Sequence, residues 1–226
     1  MRLILFDIDG TLMDTGGAGT RSLNLAMHEL FSIQDAFQGI RMAGKTDTQI
    51  IKEGLRNNAL PLDGMMTAVI DAYLRNLKRE IQNDRKSLKP GIFELLRDLR
   101  LVEESALGLL TGNIEQGARI KLEAFHLNDY FPSGAFGSDS EDRNMLLPIA
   151  VKRFEDFSGK KIPHDECIIV GDTPRDIECA KAHGAKSVGV ATGPYPLEAL
   201  VEAGADHALH DLADHRAVLE LLVTIS

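Results

Sequence analysis

The sequence predicts an α/β protein: a doubly wound parallel sheet, Rossmann-like in layout, with an all-helical domain inserted after its first strand. Three observations carry this reading. Short apolar runs recur along the chain, and helical patterns separate them. The best of these runs end in aspartate or threonine, followed by glycine and helix-starting residues. The alternation fails over residues 15–86, where apolar residues keep helical spacing and no convincing strand occurs.

The elements follow in order. Residues 3–6 form an unbroken apolar run, as expected of a strand covered on both faces. Residues 18–31, 48–58 and 62–81 each carry apolar side chains at helical intervals. The stretch Gly16, Gly17, Ala18, Gly19 is a hinge candidate, because glycine tolerates backbone angles that other residues resist. Beyond it, strands are expected at 106–110, 167–170 and 187–190, with weaker ones at 133–136 and 205–209. Helices are expected at 93–101, 114–125, 145–157, 174–183, 197–203 and 215–223. The expected division is an α/β core of residues 1–14 and 87–226, with the helical insertion over 15–86.

Composition narrows the function classes. A net charge of -9 leaves no broad basic face for nucleic acid, so none is expected as a partner. An anionic substrate would need a metal cation or local donors to offset the repulsion. No stretch approaches the roughly 20 apolar residues of a membrane span, and the N-terminus begins at once with a strand-like run without a signal-peptide pattern. The two cysteines, Cys167 and Cys179, offer no disulfide framework and read as buried thiols. A reducing, cytoplasmic location is the expectation.

The chemistry gathers at strand ends. The run 3–6 leads into Asp7, Ile8, Asp9, Gly10 and Thr11. The run 167–170 leads into Gly171, Asp172, Thr173, Pro174, Arg175 and Asp176. The run 106–110 ends in Thr111, Gly112 and Asn113, which offer a hydroxyl, an amide and free backbone N–H groups to an anion. In an open parallel sheet all three would meet in one crevice. Clustered carboxylates call for a cation, and aspartate oxygens with waters suit Mg2+ better than zinc.

These residues resemble the haloacid dehalogenase superfamily, and within it the members similar to phosphoglycolate phosphatase. Asp7-Ile8-Asp9-Gly10-Thr11-Leu12 is similar to its first motif, Thr111-Gly112-Asn113 to its second and Gly171 to Asp176 to its fourth. The third motif is usually a lysine. Arg143 is the best match here, with Pro148 further along. It keeps the positive charge as a planar fork. The insertion falls where those members carry a helical cap.

The resemblance implies a set of roles. Asp7 is the expected nucleophile and Asp9 the general acid and base, with Mg2+ held by Asp7, Asp172 and the backbone carbonyl of Asp9. Asp176 is expected to hold metal-bound water. Phosphate oxygens would be bound by Thr11, Thr111, Gly112, Asn113 and Arg143, with Thr11 also orienting the loop. The expected reaction is hydrolysis of a small phosphorylated metabolite, of phosphoglycolate or sugar-phosphate type, through an aspartyl phosphate. The cap would read the leaving group, from Gly19 and Lys45 within the clusters 16–20 and 44–47. A solvated loop lysine is the other reading of Lys45.

Other readings fit these residues less well. Residues 39–46 satisfy the P-loop spacing letter for letter, but no buried strand precedes them. A phospho-accepting regulator would also place acids and a threonine at strand ends, but in about half the length and without inserted helices. A phosphosugar mutase uses the same acid pair. A dehalogenase lacks the second aspartate, so Asp9 argues against it. His207 and His210 lie close in sequence, on an expected edge strand and turn, and form no metal cluster.

Overall fold

A computed structural model describes residues 1–225 of the chain. Its centre is a parallel sheet of six strands. In chain order the eight strands are β1 (Arg2–Phe6), β2 (Met13–Asp14), β3 (Ser87–Leu88), β4 (Ser105–Thr111), β5 (Gly134–Phe136), β6 (Cys167–Gly171), β7 (Lys186–Val190) and β8 (His207–Leu209). The helices are α1 (Ala18–Phe31), α2 (Asp47–Asn57), α3 (Met65–Glu80), α4 (Ile92–Leu99), α5 (Glu115–Glu123), α6 (Leu146–Ser158), α7 (Pro174–Ala182), α8 (Leu197–Glu202) and α9 (His215–Thr224).

The strand order in the large sheet is β5-β4-β1-β6-β7-β8. The chain winds outward from β1 through β4 to β5, then returns and winds the other way. The direction therefore reverses at β1, whose neighbours are β4 and β6. Loops after these three strands border the crevice where such sheets take ligands.

The apolar runs are buried on both faces, and the two-residue period sorts them. Ile4 and Phe6 join one core layer with Ile168, Val170 and side chains from α4, α5 and α9. Leu3 and Leu5 join the opposite layer with Ile169 and side chains from α6 and α7. Each fully buried side chain of this size contributes about 1.5–3 kcal/mol. The free thiols Cys167 and Cys179 lie in this second layer, and burial pushes both up to about 12.

Helices α1, α2 and α3 build a separate apolar core around Met27, Ile51, Tyr73 and Leu77. The chain leaves for them through β2 and returns through β3. Those two strands pair antiparallel, Met13 with Leu88 and Asp14 with Ser87. Sequence patterning did not anticipate this ribbon, since two residues carry no periodicity. Of the hinge candidate, Ala18 and Gly19 already belong to α1, and Gly16 and Gly17 have positive φ.

Candidate active site

Asp7 follows β1 at the reversal point, and its N–H donates to Val170 O of β6. The chain then turns, with the N–H groups of Leu12 and Met13 both donating to Ile8 O. Gly10 sits in this turn at φ 86°, and a Cβ there would lie 2.3 Å from Asp172 Oδ2. Only glycine satisfies both the angle and the approach. The turn also directs Thr11 back, so that its hydroxyl donates to Asp172 Oδ1 at 3.2 Å.

Asp7, Asp172 and Asp176 offer oxygens that all lie within 4.8 Å of one another, and all three side chains are buried. Asp176, on the first turn of α7, is tied by three donors. Thr173 N–H and Oγ1 give to one oxygen, at 3.0 and 2.8 Å, and Arg143 Nη2 gives to the other at 2.5 Å. Arg143 Nη2 also lies 3.3 Å from Asp7 Oδ1. One guanidinium thus joins the first and fourth acidic segments.

The electrostatics follow from burial. Asp7 is raised from 3.8 to about 6, chiefly by burial, with Arg143 opposing and Asp176 and Asp9 adding. The Thr111 hydroxyl, at the end of β4, pulls it down slightly. Burial drives Asp172 well above the carboxylate range, reinforced by Asp7 and Asp176 and opposed by Arg143. Asp172 is 1% exposed, and among the described residues its one side-chain donor is Thr11. An ionised carboxylate so placed calls for a cation, and Arg143 is already committed. Clustered carboxylate oxygens fit a hard divalent ion.

A second group faces these acids from α5 and the helical insertion. Lys121, 3% exposed, donates to Asp9 Oδ2 and to Asn113 Oδ1, each at 2.6 Å. Asn113 Nδ2 donates to the same Asp9 oxygen at 2.8 Å and to Thr111 Oγ1 at 2.9 Å. Asp47 opens α2, after a capping box between Thr46 and Gln49. Its N–H donates to Gly112 O at 2.7 Å, and its carboxylate accepts from Ile114 N–H at 3.0 Å. A Cβ on Gly112 would meet Lys45 O at 2.3 Å, so glycine lets the insertion dock. Residues of both groups line a cavity of about 270 Å³.

That arrangement places each residue expected from sequence. Asp7, Asp9, Asp172, Gly112, Asn113 and Arg143 line the cavity, and so do Gly19 and Lys45. Thr11 and Thr111 are fully buried behind it, engaged with Asp172 and Asn113. Lys45 forms an ion pair with Glu53 of α2. Its P-loop-like neighbour Thr46 serves as a helix cap, and the element before it is the helix α1, not a strand.

The sequence pattern of haloacid dehalogenase-like hydrolases matches residues 4–190, from β1 to the end of β7. The chain belongs to the haloacid dehalogenase-like hydrolase family. It is therefore an enzyme, and it is phosphoglycolate-phosphatase-like in sequence. It is 25% identical to a phosphoglycolate phosphatase of Caulobacter vibrioides, over 98% of this chain and 92% of that one. A phosphoglycolate phosphatase of Nitrosospira multiformis is 28% identical, over 81% of this chain and 80% of that one. The crystal structure of a hydrolase from Pseudomonas syringae superposes with a TM-score of 0.73 at 24% identity, covering 100% of this chain and 99% of that one.

In this haloacid dehalogenase-like hydrolase, two cavity residues escaped sequence reasoning in any chemical role, Lys121 and Tyr73, and Asp47 entered only as part of the cluster 44–47. One signal was present. Lys121 shares the buried stripe of α5 with Gly117, Ala118 and Leu122. A lysine on an apolar stripe needs a partner inside.

Proposed function

We propose that this hydrolase cleaves small phosphate monoesters, of phosphoglycolate or sugar-phosphate type, with Mg2+ and an aspartyl phosphate on Asp7. The observation that carries the proposal is the placement of Asp7. Its carboxylate lies at the reversal of the sheet, between the Arg143 guanidinium and a second buried acid, at the floor of the cavity. Asp7, Asp172 and the backbone carbonyl of Asp9 would hold Mg2+, which supplies positive charge against the acids and the phosphoryl oxygens.

In the first step an Asp7 oxygen forms a bond to phosphorus, and the bond from phosphorus to the leaving oxygen breaks. Asp9 gives its proton to that oxygen. In the second step Asp9 takes a proton from water, whose oxygen bonds to phosphorus and releases Asp7 and inorganic phosphate. Arg143 and the N–H groups after Thr111 offset charge on the phosphoryl oxygens. The helices of residues 15–86 act as a cap that covers the leaving group. Asp176 holds Arg143 and the start of α7 in place.

A screen of phosphate esters with Mg2+, and with EDTA, tests the reading. Phosphate release that needs Mg2+ is expected. Full activity in the chelated protein, or sugar isomerisation without net phosphate release, would refute it.

A further inference from the structure

We infer that the leaving group is uncharged and hydroxylated, and that phosphate esters bearing a carboxylate are poor substrates. The inference rests on the phosphatase reading above and narrows its substrate class.

The balance of charge works against a further anion in the cavity. Three cationic side chains line it, Lys45, Lys121 and Arg143, against four carboxylates, Asp7, Asp9, Asp47 and Asp172. Every one of these cations already has a carboxylate partner. Arg143 bridges Asp7 and Asp176. Lys121 pairs with Asp9, and Lys45 with Glu53. A divalent cation and a phosphoryl dianion cancel each other, so substrate loading leaves no surplus positive charge. When Asp9 carries a proton, Lys121 keeps its bond to Asn113 Oδ1 and still faces Asp47, whose acidity it favours. A carboxylate on the leaving group would lose water and find each of these three cations already paired.

The remaining wall fits a neutral group. Leu23, Met42 and Ile50 supply an apolar side, and Thr20 and Tyr73 supply hydroxyls. Burial, with Asp47 and Asp9 adding, keeps the Tyr73 phenol protonated, so it can donate. This mixture suits the carbon frame and hydroxyls of a polyol or sugar.

The test compares kcat/KM at saturating Mg2+ for glycerol 3-phosphate and ribose 5-phosphate against phosphoglycolate and 3-phosphoglycerate. p-Nitrophenyl phosphate serves as the common reference. The neutral esters should exceed the carboxylates by roughly tenfold or more, as expected when a buried charge is left without a partner. Glu53→Gln should free Lys45 and narrow that ratio by about threefold, while p-nitrophenyl phosphate turnover stays unchanged. Carboxylate esters turned over as well as the neutral ones would overturn the inference. An unchanged ratio in Glu53→Gln would overturn the account of Lys45. If the folded, Mg2+-loaded protein cleaves none of these esters, p-nitrophenyl phosphate included, the phosphatase reading itself fails and the inference falls with it.

Discussion

The Lys121 ammonium holds Asp9, 2.6 Å from Oδ2, although 112 residues separate the two in the chain. The Asp9 side chain is 44% exposed, although the backbone around it is tied by the Gly10 turn. Without a tether its carboxyl would sample several rotamers, and a proton donor works only within hydrogen-bond reach. Lys121 is thus a positioning residue for the proposed acid and base.

Lys121→Met should fold, because methionine suits the apolar stripe of α5 and Asp9 can turn to water. Its kcat on alkyl phosphates should fall by roughly 10²-fold, at the low end of what general acid–base catalysis is worth. The loss on p-nitrophenyl phosphate should be smaller, since that leaving group needs less protonation. Lys121→Arg should recover part of the rate. Equal losses on both esters would indicate a structural role only, and steady-state kinetics on the pair distinguishes the cases.

Arg143 joins Asp7 to Asp176 through one guanidinium nitrogen. Arg143→Ala leaves buried carboxylates uncompensated, which costs about 3–5 kcal/mol where a buried pair is broken. A clear fall in thermal midpoint of the metal-free protein is expected. Mg2+ should restore part of it, because the cation replaces lost positive charge. A midpoint within a degree or so of wild type would show that the acids do not depend on Arg143.

Asp47 gives a pH signature. Burial raises it from 3.8 to about 6, against the pull of Lys121 and the Ile114 N–H. The unfolded chain therefore releases this proton more readily than the folded one. The stability Asp47 contributes is fully present below pH 4 and is lost as pH rises through about 6. Asp47→Asn should gain stability relative to wild type across that window, on the order of 2–3 kcal/mol. Urea unfolding of both proteins at several pH values measures the difference, and a pH-independent difference would contradict it.

Much of this layout was legible in the chain. The runs ending at Asp7, Thr111 and Asp172 are continuous and apolar, and a parallel sheet leaves their ends on one edge. Element limits shifted where caps overrode periodicity. The apolar pattern begins at residue 62, but α3 starts at Met65, behind Gly64 at φ 75°. The pattern at residue 48 gives way to α2 starting at Asp47, because Thr46 closes a capping box. Lys121, and the contacts of Asp47 beyond its place in the cluster 44–47, were hidden for a different reason. Lys121 reaches Asp9 and Asn113 from α5, and Asp47 meets the loop 112–114 through the docked helical insertion; contacts between distant segments leave no local pattern.

The central claim is that Asp7 carries the phosphoryl group. Asp9→Asn keeps the size of the side chain and the backbone carbonyl, and removes the group that activates water. With p-nitrophenyl phosphate the first step should be spared more than the second. Rapid acid quench followed by peptide mass spectrometry should then find one phosphoryl group on the peptide that contains Asp7. A folded, Mg2+-loaded Asp9→Asn that releases nitrophenol with Asp7 unmodified, together with an Asp7→Asn that turns over like wild type, would contradict the account.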